Sequence, residues 1–310
     1  MLLTARFATA QVDDVGALCV AHALADKGEV NILAVVHNTG SPSGVGAISV
    51  LNRYYGRDHI PVGAYHGRVG TVDGNPQSPW GFKRYPPLPP WQIGPYVDDL
   101  VANFPSRIRN ASQAPDATVL LRSVLEAAPD GSVTIVSVGY TTNLLNLLES
   151  GGGGGSGLAG PALVRKKVDQ LVLMGGRHHF WPNDPVEWNL AGATELSSVC
   201  SGGCGAHNNL GAISNRTVSL WPPESRLVFL DFETGVSVWT GGALVHAPDS
   251  SPCKRAYDVF CRINQGWCDR GRQAEGLSPA GGAARNGGRR VTEGRAWEPV
   301  AGVTGPATAL

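Results

Sequence analysis

Ser132-Val133-Thr134-Ile135-Val136-Ser137-Val138, followed at once by Gly139-Tyr140-Thr141-Thr142-Asn143, is the stretch that decides the fold of this chain. Its first part is dominated by β-branched residues and reads as a strand. Gly139 ends that run, and residues 143–149 resume with leucines at helical spacing. A strand that passes through a small polar turn into a helix is half of a βαβ unit. The same alternation continues in both directions. Upstream, residues 15–25 have a helical rhythm, 30–36 form an apolar strand, 44–55 a helix and 60–64 a short strand, and Asp116 is placed to cap a helix reaching residue 128. Downstream, 170–174 and 226–230 read as strands, and Ser251-Pro252 opens a helix through Ile263 with proline at its first position. The fold class expected is α/β: an open, mostly parallel sheet with helices on both faces and a Rossmann-like core.

Composition limits what such a sheet can do. The chain has 310 residues, 42% hydrophobic and 16% charged, with 25 basic against 25 acidic side chains. That suffices for a full core. Zero net charge supplies no field to hold a polyanion, so no nucleic-acid partner is expected. No apolar run approaches the roughly 18 to 20 residues that span a bilayer, the opening residues are too short an apolar stretch for a signal peptide, and the expected chain is cytoplasmic with no membrane partner, secretion staying open. The six cysteines, Cys19, Cys200, Cys204, Cys253, Cys261 and Cys268, are too thinly spread for a disulfide scaffold and read as free thiols. Cys200 and Cys204 with His207 lack a second pair to complete a zinc site. Two sequons, Asn110-Ala111-Ser112 and Asn215-Arg216-Thr217, acquire meaning only in a secreted chain.

Two glycine-rich stretches carry no chemistry. Gly152, Gly154 and Gly157 satisfy G-x-G-x-x-G formally but follow a helical pattern, whereas a dinucleotide fingerprint needs a strand before it. They read as a flexible loop. Residues 270–310, rich in Gly, Ala and Arg, read as a disordered tail, and residues 70–95, rich in Pro, Gly and Trp, as a long surface loop.

In a parallel sheet the chemistry sits beyond the carboxyl ends of the strands. The residues placed there are Asp13-Asp14, Asn38-Thr39, Thr141-Thr142-Asn143, Gly175-Gly176 and, further on, Asn183 and Glu187-Trp188-Asn189. Adjacent acids at a helix start have a plain explanation as a cap favoured by the helix dipole. Hard oxygen ligands arriving from separate strands point instead to Ca²⁺, which takes about six to eight oxygens.

These segments, namely Val12-Asp13-Asp14-Val15-Gly16-Ala17-Leu18, Ala34-Val35-Val36-His37-Asn38-Thr39, Val138-Gly139-Tyr140-Thr141-Thr142-Asn143-Leu144, Leu173-Met174-Gly175-Gly176 and Glu187-Trp188-Asn189-Leu190-Ala191-Gly192, resemble the inosine-uridine-preferring nucleoside hydrolases, in family order. The resemblance implies Ca²⁺-dependent hydrolysis of the N-glycosidic bond of a ribonucleoside, with a small-molecule nucleoside as partner and homo-oligomerisation left open. It implies metal ligation by Asp14, the Thr142 carbonyl and Asp269. It assigns the ribose to Asp13, Asn38, Asn183, Glu187 and Asn189, with Asp13 also the catalytic carboxylate. That chemistry suits the residues, because an oxocarbenium-like transition state needs a rigidly held ribose near negative charge.

The chain departs from the family at both ends. The family places a carboxylate upstream that ligates the metal and takes the proton of the attacking water, and here Phe7-Ala8-Thr9-Ala10-Gln11-Val12 has none. Neither Thr9 nor Gln11 replaces a base. After Asp269 the apolar helix of the family is missing. The organisation expected is an atypical segment over 1–11, a hydrolase-like domain over 12–269 and the tail over 270–310. Impaired catalysis, a catalytically inactive nucleoside- or ribose-binding relative, and a non-enzymatic interaction module using the 70–95 loop follow as alternatives. His178 and His179 are candidate acids toward the leaving base, and Trp80, Trp91, Trp181 and Trp188 candidate stacking residues that more often serve the core.

Overall fold

A computed structural model of the chain describes residues 1–5, 12–38, 43–65, 95–176, 188–191, 210–231, 234, 241–263 and 268. Its elements in chain order are β1 (Leu2–Ala5), α1 (Asp13–Asp26), β2 (Ala34–His37), α2 (Gly44–Tyr54), β3 (Val62–Gly63), α3 (Pro95–Asn103), α4 (Ala117–Ala127), β4 (Val133–Ser137), α5 (Thr142–Leu148), α6 (Gly160–Lys167), β5 (Val168–Met174), α7 (Trp188–Ala191), α8 (Leu210–Leu220), β6 (Arg226–Leu230) and α9 (Pro252–Ile263). The six strands form one sheet in the order β3-β2-β1-β4-β5-β6. Every pairing is parallel. This is the doubly wound order, with its topological switch between β1 and β4.

The helices cover both faces because the strands bury both. In β2, Val35 packs with α1, α2, α3 and α9 on one side, while Ala34 and Val36 pack with α4, α5 and α6 on the other. Each of these residues is fully buried. That is the period-2 alternation of a strand between two apolar layers. The helix at 117–127 starts where the sequence requires it, since the Asp116 carboxylate accepts from the Thr118 and Val119 N–H groups.

Several expectations are corrected, and within the segment expected as an atypical end, 1–11, residues 2–5 add β1, which pairs with β2 and β4 on its two edges. Two-sided pairing can hold a strand whose four residues are too few to give a sequence signal. The strand expected over 30–36 is β2 from Ala34, and residue 95, assigned to a loop, begins α3, where Tyr96 and Leu100 are buried one turn apart. Four of the cysteines are not free thiols: Cys19 is bonded to Cys253 and Cys261 to Cys268, leaving no free cysteine among the described residues, which do not include Cys200 and Cys204. The first bond joins α1 to α9, which pack together in the core, and a separation of 234 residues hides it from sequence spacing. The glycine run is a built loop as well. Glu126 accepts from Gly155 N–H at 3.1 Å and Ser156 Oγ at 2.8 Å, while Arg122 donates to the carbonyls of Gly153 and Leu158. Gly154 (φ 79°) and Gly157 (φ 66°) take the left-handed turns that close it. Residues 270–310 and most of the 70–95 loop lie outside the described residues.

Candidate active site

Because all strands run the same way, the residues that follow them meet at one edge of the sheet. β1 leads toward α1, which carries Asp13 and Asp14 in its first turn; β2 ends in His37-Asn38; β4 leads into Thr142 and Asn143 at the start of α5. Asp14 and Thr142 therefore flank the switch between β1 and β4. The acids are not side-chain caps. The cap position is Val12, whose carbonyl accepts from the Val15 and Gly16 N–H groups. Asp13 is exposed, whereas Asp14 is 4% exposed. A carboxylate buried this deeply needs partners, and the positive end of α1 is one source of stabilisation.

Hydrogen bonds knit the ends of β2 and β4. Asn38 Nδ2 donates to the Tyr140 carbonyl at 2.9 Å, Thr142 Oγ1 donates to the Asn38 carbonyl at 3.1 Å, and Asn143 Nδ2 donates to the His37 carbonyl at 2.9 Å. All of these side chains are buried. Both amide nitrogens are thus spent on the backbone, and the two amide oxygens, Asn38 Oδ1 and Asn143 Oδ1, are buried with no hydrogen-bond partner among the described residues. Buried acceptors of this kind call for a donor or a cation. At Gly44, where α2 begins, a Cβ would overlap the His37 imidazole, so glycine is what lets that ring lie against the helix start.

Asn189 closes the next gap. Its Nδ2 donates to the Met174 carbonyl at 3.1 Å, with the Val138 carbonyl at 3.5 Å, so it bridges the ends of β5 and β4. Gly176, at φ 91°, turns the chain away from the end of β5.

The structure thus brings Asp13, Asp14, Asn38, Thr142 and Asn189 to the same edge of the sheet. Asn183, Glu187 and Asp269 lie outside the described residues, as do His178, His179, Cys200, Cys204, His207, Trp80, Trp91 and Trp181. Trp188 opens α7. The residue to which sequence reasoning gave no role is Asn143; its signal was its place directly after Thr142 at the end of the clearest strand. A shallow hollow of about 590 Å³ beside Arg122, Glu126 and the glycine loop lies toward the opposite edge, where no strand delivers its carboxyl end, and is not part of this site.

For a metal, the donor chemistry fits and the donor count is partial. A buried carboxylate and an orphaned amide oxygen are the hard ligands that Ca²⁺ takes. Among the described residues, however, no group of three His, Cys, Asp or Glu side chains gathers to hold an ion.

No family model and no curated relative matches the chain in sequence. Solved structures do match. The type III effector protein XopQ, complexed with adenosine diphosphate ribose, aligns over 90% of this chain and 70% of its own, with a TM-score of 0.56 and 17% identity. The plant nucleoside hydrolase PpNRh1 aligns over 87% of this chain and 72% of its own, with a TM-score of 0.53 and 18% identity. At such identities the likeness is one of fold: this chain has the α/β fold of those proteins.

Proposed function

We propose that the chain binds ribonucleosides by their ribose and hydrolyses the N-glycosidic bond slowly. The observation that carries this reading is the flanking of the β1/β4 switch by buried Asp14 and Thr142, with Asn38 tied to Thr142 across the strand ends. In a doubly wound sheet this is where ligands bind. The ligand of the XopQ structure, adenosine diphosphate ribose, contains ribose, the sugar shared with every ribonucleoside, and the other neighbour is a nucleoside hydrolase.

Asp13, Asn38, Asn183, Glu187 and Asn189 are proposed to hold the ribose, with exposed Asp13 as the catalytic carboxylate. Asp14, the Thr142 carbonyl and Asp269 would hold Ca²⁺, which supplies a grip on sugar hydroxyls and lowers the pKa of a bound water. Water adds to the anomeric carbon, the C–N bond breaks, and the base leaves with its electron pair and takes up a proton. The weak point is the water's proton. Residues 1–12 contain no carboxylate, so the proton falls to exposed Asp13 in place of a base on the first strand, and absence of such a positioned base typically costs about 10²- to 10⁴-fold in rate. That same observation supports the second reading, ribose binding without turnover.

Inosine and uridine assayed with and without a chelator, alongside nucleoside-induced thermal stabilisation, separate the two. Slow, chelator-sensitive release of ribose is expected, and the Asp14→Ala variant is expected to lose both Ca²⁺- and nucleoside-induced stabilisation. Stabilisation without turnover selects the second reading. Fast, chelator-insensitive turnover, or tight Ca²⁺ binding that survives Asp14→Ala, overturns the metal assignment.

A further inference from the structure

One motif is untouched by the ribose site. Asn110-Ala111-Ser112 matches the acceptor sequence for N-linked glycosylation, and the chain around it is built as a surface turn. Asn110 is exposed and extended (φ −150°, ψ 167°) ahead of a single 3₁₀ turn, Ala111–Gln113. Its Oδ1 accepts from Ser112 N–H at 3.0 Å and Ser112 Oγ at 2.5 Å. Gln113 Oε1 reaches back to the N–H groups of Arg109 at 2.7 Å and Asn110 at 3.3 Å. Among the described residues, Asn110 Nδ2 takes part in none of these bonds. A substituent on that nitrogen breaks none of these bonds, and no residue of the 3₁₀ turn is buried.

The second sequon offers a contrast. Asn215-Arg216-Thr217 lies within α8; the Thr217 hydroxyl is 1% exposed and donates to the Ile213 carbonyl at 2.8 Å, and Arg216 pairs with Glu149. There the hydroxyl and the asparagine do not meet.

The disulfides make an independent observation. Cys19–Cys253 and Cys261–Cys268 account for every described cysteine, and such bonds persist in oxidising compartments such as the endoplasmic reticulum lumen. N-linked oligosaccharide is transferred in that same lumen.

We propose that Asn110 is an N-glycan acceptor and that the chain matures in an oxidising secretory compartment. The donor class is an oligosaccharide carried on a polyisoprenyl diphosphate. Asn110 Nδ2 bonds to the anomeric carbon, the bond from that carbon to the diphosphate oxygen breaks, the diphosphate leaves with the electron pair, and one amide proton passes to a base on the transferase. The Asn110 carbonyl keeps both bonds from Ser112, so the turn survives the modification.

The test is expression of the full chain behind a cleavable secretory leader in yeast, with trypsin and mass spectrometry used to follow the peptide spanning 110–122, bounded by Arg109 and Arg122. Expected is loss of the unmodified peptide, its recovery after peptide-N-glycosidase in heavy-oxygen water with the label at position 110, and a non-reduced peptide pair containing Cys19 and Cys253. Asn110→Gln and Ser112→Ala each lose one glycan mass, while Ser112→Thr keeps it; Ser112→Ala retains the asparagine and so covers a folding defect in the first variant. An unmodified 110–122 peptide in the secreted chain, a glycan on Asn215 alone, or free thiols at Cys19 and Cys253 overturns the proposal.

Discussion

Two buried polar clusters in this molecule are left incomplete in opposite ways. Between the ends of β2 and β4, the donors of Asn38, Thr142 and Asn143 are spent on backbone carbonyls, and what the two asparagines have left over is oxygen: Asn38 Oδ1 and Asn143 Oδ1. Between α1 and α2, His22 shares a hydrogen bond with Asn52 Oδ1 at 3.0 Å and stacks on Tyr55 with ring centroids 4.5 Å apart, and what is left over is nitrogen: His22 Nδ1 and Asn52 Nδ2. The first cluster sits where a parallel sheet opens to ligands, and its spare acceptors suit hydroxyls or a cation. The second sits inside the helical layer against Cys253, whose Sγ lies 3.6 Å from Tyr55 Oη. It answers its polar surplus by staying neutral. Desolvation drives the His22 pKa down to about 4 and raises that of the Tyr55 phenol, so neither carries charge near neutrality.

The largest effect that would break this contrast is acid sensitivity of the second cluster. The folded pKa of His22 lies below its ordinary value of 6.5, so between pH 6.5 and 4 the unfolded chain binds the extra proton. Stability therefore rises with pH across that window, is fully present above it, and is lost on acidification. A shift from 6.5 to about 4 amounts to about 3 kcal/mol. Urea unfolding followed from pH 7.5 to 4 should show this slope, and His22→Gln should flatten it. An unchanged slope in the variant shows that His22 is not held neutral, and the two clusters then differ less than their geometry implies.

A smaller effect is expected in the first cluster. Asn143→Leu removes the donor to the His37 carbonyl and leaves that carbonyl buried, which costs about 1 to 3 kcal/mol. Asn143→Asp keeps the buried oxygen and loses the donor. If Asn143 Oδ1 only fills space, the leucine variant retains nucleoside-induced stabilisation at matched stability; if the oxygen serves the ligand, that stabilisation falls in the leucine variant while its Tm falls as well.

How far the sequence foretold these regions depends on the range of the interactions. Strands 133–137 and 226–230, the cap at Asp116 and helices 44–54 and 252–263 follow from periodicity and local chemistry, and all are present. The placement of Asp14, Asn38 and Thr142 at one edge of the sheet follows from one rule about parallel sheets, while Glu187, expected beside them, lies outside the described residues. What stayed hidden was non-local. β1 is four residues long and its two-sided pairing is visible only in the sheet; Cys19 and Cys253 meet only when α1 and α9 pack; Glu126 binds a glycine loop 29 residues away. The role of Asn143 was hidden for the same reason, since its partner at His37 is 106 residues distant.

The smallest and sharpest test concerns one hydroxyl. Thr142 Oγ1 donates to the buried Asn38 carbonyl, and Asn38 returns a bond to Tyr140, two residues before Thr142. These paired bonds lock the end of β2 to the turn after β4. Thr142→Val preserves shape and β-branching but deletes the donor, which should cost about 1 kcal/mol in unfolding free energy. Thr142→Ser restores the hydroxyl and should recover most of that loss, although it gives up a methyl group in a site that is 2% exposed. Neither variant touches the backbone carbonyl proposed for the metal, so Ca²⁺-induced stabilisation measured on each should track the hydroxyl only through the position of Asn38. A valine variant as stable as the parent would mean that the strand ends are held by backbone packing alone. The surplus oxygens of Asn38 and Asn143 would then be incidental to the knit and not set by it.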